Sequence, residues 1–430
     1  MDELKHLRRL SAVKSNAGVK FLTPAAFPGN HCPLHTALAL CANIRGMSTL
    51  VIGTAECGTY SRNVIAKSKH ADGALHWMYV LDAHEVVFGC RKGVMEAVRE
   101  MDKAGAEAIM LIATCVPEVI GEDMDGILHE LRPQLSARLN TVQMGHFKCN
   151  SYPSGYWKTL AALAGMMEPA VAKPNVVNVL GRDPTEEHIP MPALLSALEQ
   201  RGFRLRLLAP NADIADFAKA PDARLNLVLS PYMNPLAEQM RREFHIPCIS
   251  LHEIYEVSAV DRLYTSVAEA LDIAWGDAFD EQRKQALLLE EQARETLEGI
   301  RYVATHRNAL APLPLALYLD ALGLEPLLLH IEEFYPDDRK WAKALTEKGL
   351  NPLICHMVND HADAQVLAHL APALSFGEIP GGAGEIPCVP FLYELYGQIG
   401  YERTSALLSR ILRVMESAKS RQGGTTHGTS

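Results

Sequence analysis

The chain contains no C-x-x-C pair, and its nine cysteines follow neither ferredoxin nor zinc-ribbon spacing. A metal site built within one short loop is therefore excluded. There is no G-x-x-x-x-G-K-[ST] loop to cradle phosphates, so the chain is expected to bind no nucleotide itself. No G-x-G-x-x-G follows a first strand, which leaves a nicotinamide cofactor unsupported. Apolar runs long enough to span a bilayer are missing, and the N-terminus lacks the apolar core of a signal peptide. The expectation is an unexported, cytoplasmic chain with no membrane partner. Positive charge is also short. Lys and Arg number 41 against 51 Asp and Glu, a net charge of −10, and no compensating basic patch stands out. Such a balance argues against nucleic acid as a partner.

The chain that remains is long and globular. Its 430 residues, 48% apolar and 21% charged, exceed one ordinary core and imply two or three domains. Short runs, apolar on both faces, alternate with helix-like stretches: residues 48–53 (STLVIG), 108–113 (AIMLIA), 175–180 (NVVNVL), 225–230 (LNLVLS), 302–305 and 325–329. They read as buried parallel strands of βαβ units. MEPAVAKP at 167–174 breaks the first block from the second. A charge-rich helical stretch over about 277–300 separates the second from the third. The expected organisation is an N-terminal α/β domain over 1–170, a second over 171–300 ending in a long helix, and a third over 301–418. A helix near 402–417 closes the third, and a polar tail over 419–430 is expected to be disordered. The first nine residues mix Lys5, His6, Arg8 and Arg9 with Asp2 and Glu3 and read as a solvated arm.

Three cysteines share one setting. Cys57 follows the strand STLVIGT and precedes Gly58, which permits close backbone approach to a ligand. Cys115 follows the strand AIMLIAT. Pro117 then suits a first helical turn, and Glu118, Glu122 and Asp123 suit its dipole. Cys32 precedes Pro33 and the helix-like PLHTALALCANI. Ligands collect at strand ends in α/β domains, so three thiolates assembled there from separate loops could hold iron and sulfide. Three ordinary buried cysteines are the alternative, because free cysteine is among the most buried residue types. Cys41, Cys90, Cys149, Cys248, Cys355 and Cys388 read as core or surface thiols. The pairs Glu186–Glu187 beside His188 and Glu332–Glu333 beside His330, and Asp360 with His361, read as solvated loops. The glycine-rich segment 377–387 reads as a turn-rich loop.

The order HCPLHTA, VIGTAECGTYSR, HEVVFGCRKGVMEAV, LIATCVPEVIGEDMDGIL resembles the component 1 family of nitrogenase-like oxidoreductases. That family places one cysteine in C-x-L-x-x-A, a second in H-G-x-x-G-C and a third in T-C-x-x-E-x-I-G-D-D, with an acidic residue and V-F-G-G between the last two. Cys32, Cys57, Glu85 with Val87–Gly89, and Cys115 with Glu118, Ile120, Gly121 and Asp123 occupy those places. YPSGYWKTLAALA and IGYERTSALLSRIL resemble later segments of the family. H-G-x-x-G-C reads G-T-A-E-C here, with the histidine and glycine giving way to Gly53 and Ala55–Glu56, and the second glycine of F-G-G is Cys90.

The resemblance implies three Rossmann-like, doubly wound parallel-sheet domains. It also implies an iron–sulfur cluster, of P-cluster or [4Fe–4S] type, held by Cys32, Cys57 and Cys115 and shared with a partner subunit. Gly58, Glu85, Gly89 and Glu118 are then expected to line the cofactor. The residue matching the catalytic subunit's cofactor cysteine is Ser230, a poor ligand, and His356 and His361 match its cofactor histidine only by region. The chain thus resembles the β-type, electron-relaying subunit of an α2β2 heterotetramer served by an ATP-dependent iron-protein-like reductase. Reductive C–S cleavage of methylthio-alkanes is one implied activity. A tetrapyrrole reductase, a nickel-tetrapyrrole cyclase or a scaffold for metal-cofactor assembly are the alternatives.

Overall fold

The computed structural model describes residues 7–15, 19, 32–65, 73–146, 152–305, 307, 308, 310–331, 334, 338–355, 367, 369–379, 386–392, 395 and 397–424. The expectations for Cys149, Glu332, Glu333, His356, Asp360, His361 and residues 425–430 of the tail fall outside them, as does the middle of the glycine-rich loop; residues 419–424, expected to be disordered, instead continue the closing helix Gly400–Gly424.

The described residues form a mixed α/β structure with three sheets. The first contains β2 (Met47–Gly53), β3 (His76–Val80), β4 (Ala108–Ala113) and β5 (Arg138–Gln143) in the order β3-β2-β4-β5, all parallel. Its helices are α1 (Pro33–Cys41), α2 (Ala55–Ile65), α3 (Ala83–Phe88), α4 (Arg91–Lys103), α5 (Cys115–Ile120), α6 (Met124–Leu131) and α7 (Tyr152–Ala162). The second sheet repeats this order as β7-β6-β8-β9, again parallel, from β6 (Lys173–Leu180), β7 (Arg204–Leu208), β8 (Ala223–Val228) and β9 (Cys248–Ser250). Around it lie α8 (Ala193–Gln200), α9 (Ile214–Ala218), α10 (Asn234–Phe244) and α11 (Val257–Leu271). The helix α12 (Asp280–Leu297) leads to the third sheet, β10 (Arg301–Ala304), β11 (Glu325–His330), β12 (Leu353–Cys355), β13 (Leu374–Phe376) and β14 (Cys388–Val389), with α13 (Pro312–Ala321), α14 (Asp338–Glu347) and α15 (Gly400–Gly424).

The central strands are the ones the hydrophobic runs reveal. Every residue of β2 and β4 is buried, as required of strands covered on both faces. The strands β3, β5 and β7 carry no such run. They sit at sheet edges; β3 buries none of its residues and β5 and β7 mix buried with partly exposed positions, so Arg, His and Asn dilute their apolar pattern. The expected strand at 225–230 ends at Val228, and Ser230 lies beyond it as the first residue of a turn.

The N-terminus departs from the solvated-arm reading. The two-residue strand β1 (Arg8–Arg9) pairs antiparallel with β12, Arg8 opposite Ile354 and Arg9 opposite Leu353. Leu7, Leu10 and Val13 are buried, and Asn351 accepts Ser11 N–H at 2.9 Å. Arg8 and Arg9 are exposed, while Leu7 before them and Leu10 after them anchor the segment. The first and second sheets share one core, in which Leu38, Met47 and Met110 meet Leu180, Phe217 and Met240. α15 closes the chain, packing Tyr401 into the second core and Leu407, Leu408 and Ile411 into the third. No helix of the described residues is long and apolar enough to cross a membrane.

Candidate metal centre

The first sheet changes winding direction between β2 and β4, because β3 is added on one side and β5 on the other. The crevice beyond the carboxyl ends of two such strands is where open α/β sheets bind ligands. Both strands deliver a cysteine there. β2 ends at Gly53, and Cys57 is the third residue of the helix that follows. β4 ends at Ala113, Thr114 caps the next helix, and Cys115 is its first residue. The third thiol comes from outside the sheet. Cys32 caps α1, whose first position is Pro33, where a missing N–H costs nothing.

The three thiols sit together. All are half-buried and none forms a disulfide. The Cys32 thiol is pushed above its ordinary range, first by burial and then by negative charge on Cys115 and Cys57, against hydrogen bonds from the Leu34 and His35 backbone. Thiolates crowded in a partly desolvated pocket repel one another, and a bound cationic centre relieves that repulsion. His146 N–H donates to Cys115 Sγ at 3.2 Å, and the Thr54 hydroxyl lies 3.8 Å from Cys57 Sγ. Amide donors to sulfur are the outer contacts that orient and tune thiolate-held metals. Among the described residues, no three His, Cys, Asp or Glu side chains are close enough to hold a single metal ion. Thiolates of a multi-iron cluster bind different irons and stand further apart. Three soft thiolate donors are the chemistry of an iron–sulfur site.

Each expected lining residue has a defined place. Glu118 Oε2 accepts Gly145 N–H at 2.7 Å, which fixes the loop that carries His146 to Cys115. Glu85 belongs to a capping box. Asp82 accepts Glu85 N–H at 2.8 Å, Glu85 Oε2 accepts Asp82 N–H at 3.1 Å, and the Tyr79 hydroxyl donates to Glu85 Oε1. Its carboxylate is thus occupied in starting α3. Gly89 ends that helix at φ 89°, and a Cβ there would lie 3.0 Å from Glu122 Oε2. Gly58 lies inside α2, where a Cβ would touch Met78 at an ordinary 3.5 Å.

Two residues of the site escape the sequence reading. A Cβ on Gly53 would fall 2.2 Å from Thr114 Oγ1 and 3.2 Å from Cys57 Sγ, so this glycine lets the two strand ends close up. Counted back from Cys57, Gly53 stands at the first glycine of H-G-x-x-G-C, and Ile52 at its histidine. Thr114 donates to Ile52 O at 2.8 Å, locking β4 to β2 directly beneath the cysteines. A glycine at a strand end and a threonine before a cysteine were the available signals.

The remaining described cysteines stand apart from this group. Cys41 and Cys90 are buried, and burial pushes both thiols up to about 12, with the Glu122 carboxylate assisting at Cys90. Cys355 is buried in β12, and Cys248 donates to Ala237 O at 3.2 Å. Beside the site an apolar face is open to solvent. α3 buries none of its residues, Val87 and Phe88 are 71% and 74% exposed, and Val80 and Val119 are exposed as well.

The family model for nitrogenase component 1 type oxidoreductase matches residues 32–416. The chain is similar to the nitrogenase iron-molybdenum cofactor biosynthesis protein NifE of Methanococcus maripaludis, at 22% identity over 366 residues, 78% of this chain and 75% of that protein. The protein of the same name from Clostridium pasteurianum is 22% identical over 373 residues, covering 83% and 79%. The nitrogenase molybdenum-iron protein alpha chain of Methanosarcina barkeri is 24% identical over 275 residues, covering 60% and 50%. Among solved structures, nitrogenase Cp1 at pH 6.5 superposes with a TM-score of 0.66 at 18% identity, covering 92% of this chain and 95% of that one, a likeness of fold. The chain belongs to the nitrogenase component 1 type oxidoreductase family.

Proposed function

We propose that this chain is a cytoplasmic, β-type subunit of a nitrogenase-like two-component reductase. Cys32, Cys57 and Cys115 would hold one side of an iron–sulfur cluster, and an α-type partner would supply the remaining ligands. The observation that carries this reading is the convergence of three thiols from three separate elements at one strand-order reversal. When bound, the cluster supplies one-electron transfer at low potential. The chain's own residues position it: Thr114 and Gly53 draw the strand ends together, and Glu118 holds the His146 amide against Cys115. The exposed apolar face at Val87, Phe88 and Val119 lies beside the thiols and suits a protein partner, either the α-type subunit or an ATP-dependent reductase. Ser230, at the matching strand end of the second sheet, offers a hydroxyl where a cofactor-anchoring subunit would need a thiolate, which supports the relay role. Reductive C–S cleavage of a methylthio-alkane is the substrate chemistry proposed for the assembled complex.

The names of the NifE relatives favour a second reading, a scaffold on which a metal cofactor is assembled and passed on. The two separate in one preparation. The complex, purified anaerobically, is analysed for iron, acid-labile sulfide and EPR signals, then given either reductase, ATP and a methylthio-alkane or an apo-acceptor protein. Turnover without loss of iron supports the relay. Iron leaving for the acceptor without turnover supports the scaffold. A complex free of iron overturns both.

A further inference from the structure

Cys57 and Cys115 follow strands of one sheet. Cys32 does not, and its place depends on how α1 is seated. The first turn of α1 buries Pro33, Leu34, Thr36 and Ala37. α7 packs across that turn at Gly155. A Cβ on Gly155 would lie 3.3 Å from the Cβ atoms of Pro33 and Thr36 and 3.4 Å from Pro33 Cα. Such contacts are tighter than packed side chains normally make, so α1 would have to yield. Gly155 is itself buried, and its carbonyl accepts the Thr159 hydroxyl at 2.8 Å. It lies within a helix, where glycine is disfavoured. Close approach is what its missing side chain provides.

Pro33 carries that contact to the thiol. Its ring fixes φ, and the residue before a proline is held extended; Cys32 has ψ 127°. The joint between Cys32 and Pro33 is therefore stiff, and a shift of Pro33 moves Cys32 with it. The chain leading into α7 also touches a second thiol. β5 ends at Gln143, His146 N–H donates to Cys115 Sγ, and Glu118 holds Gly145 N–H. The segment from β5 to α7 thus contacts Cys115 through His146 and the Cys32 turn through Gly155. We propose that Gly155 is a positioning residue for Cys32: its missing side chain lets α7 seat the first turn of α1 at the depth where the Cys32 thiol meets Cys57 and Cys115. The consequence for iron rests on the cluster reading; the consequence for the place of the thiol does not.

The test uses the full chain, purified anaerobically, with iodoacetamide as probe and peptide mass mapping as readout. The quantity measured is the alkylation rate of Cys32 relative to that of Cys115. Gly155→Ala should raise this ratio by at least about fivefold, since one methyl forced into a packed contact shifts a local equilibrium by that order. Pro33→Ala adds no bulk and only loosens the joint. It should raise the ratio too, and it decides the matter where Gly155→Ala fails to fold. Gly165→Ala is the control for destabilisation alone. Its Cβ would fall 2.2 Å from Asn140 Nδ2, a contact with β5 and not with α1, and the ratio should stay at the parent's value. In the same samples Gly155→Ala should hold less iron per folded chain and give an EPR spectrum changed from the parent's, as expected when one thiolate is lost. A ratio unchanged in both Gly155→Ala and Pro33→Ala, or raised equally by Gly165→Ala, overturns the proposal. A parent without iron defeats the cluster reading, and the ratio still decides the role of Gly155.

Discussion

The first and second sheets have the same strand order and the same point of reversal, yet they put their polar chemistry in different places. In the first sheet the interior of the central strands is almost wholly apolar, and the reactive groups lie past the strand ends at Cys57 and Cys115. In the second the corresponding ends carry Gly181 and Ser230, packed so closely that a Cβ on Gly181 would fall 2.5 Å from Ser230 Cβ. Its polar groups lie within and under the sheet. Arg206 pairs with Asp222 at 2.7 Å, both buried, and Asn178 bridges Asn226 at 2.8 Å and Arg206 at 3.0 Å. Burial alone would raise the Asp222 carboxyl, but Lys173 and Arg206 outweigh it and hold it below the usual range. One topology therefore serves twice, once with half-buried thiols at its strand ends and once as a closed structural network. The fold fixes where a ligand can bind, and the side chains decide whether one does.

That contrast can be broken most severely at the thiols. Cys57→Ala or Cys115→Ala is expected to remove most of the bound iron and to loosen association with the partner subunit. Ser230→Ala and Cys355→Ala should leave iron per folded chain unchanged. Iron and sulfide analysis of anaerobically purified variants reads this, and equal losses at all four positions would make the cysteines merely structural. The network of the second sheet should fail in the opposite manner. Arg206→Ala leaves Asp222 buried with only Lys173, which is largely exposed, and should cost about 3 kcal/mol of stability in urea unfolding. Iron per folded chain should not change. The mildest test sharpens the comparison at the strand ends. Gly53→Ala drives a Cβ into Thr114 Oγ1 and should cost about 1–3 kcal/mol while also lowering iron retention. Gly181→Ala, at φ +100°, should destabilise without touching iron. If both glycine variants lost iron alike, the two strand ends would not be functionally distinct.

The central strands were legible because burial on both faces demands unbroken apolar runs, as at residues 108–113, whose expected bounds match β4. The edge strands β3, β5 and β7 were not, since a half-covered strand tolerates polar side chains. At the site, Cys57 and Cys115 could be located from their place after such runs. Glu118 stood out in the same segment, but its partner Gly145 could not be foreseen, because that contact is made across two strands. Leu7 and Leu10 show the same limit at the N-terminus. Their neighbours are charged, and only a groove beside β12, some 340 residues further on, gives them a place to be buried.

By itself the sequence determined the α/β alternation, the family, and which residues could be thiolate ligands, because burial patterns and residue chemistry are local properties of the chain. The tertiary structure alone decided that Thr114 and Gly53 close the strand ends beneath Cys57 and Cys115, and that the second reversal point is filled by Gly181 and Ser230. Those outcomes depend on which strand ends and helix caps are brought within a few ångströms of one another, and that is fixed by sheet order and packing between elements far apart in the chain.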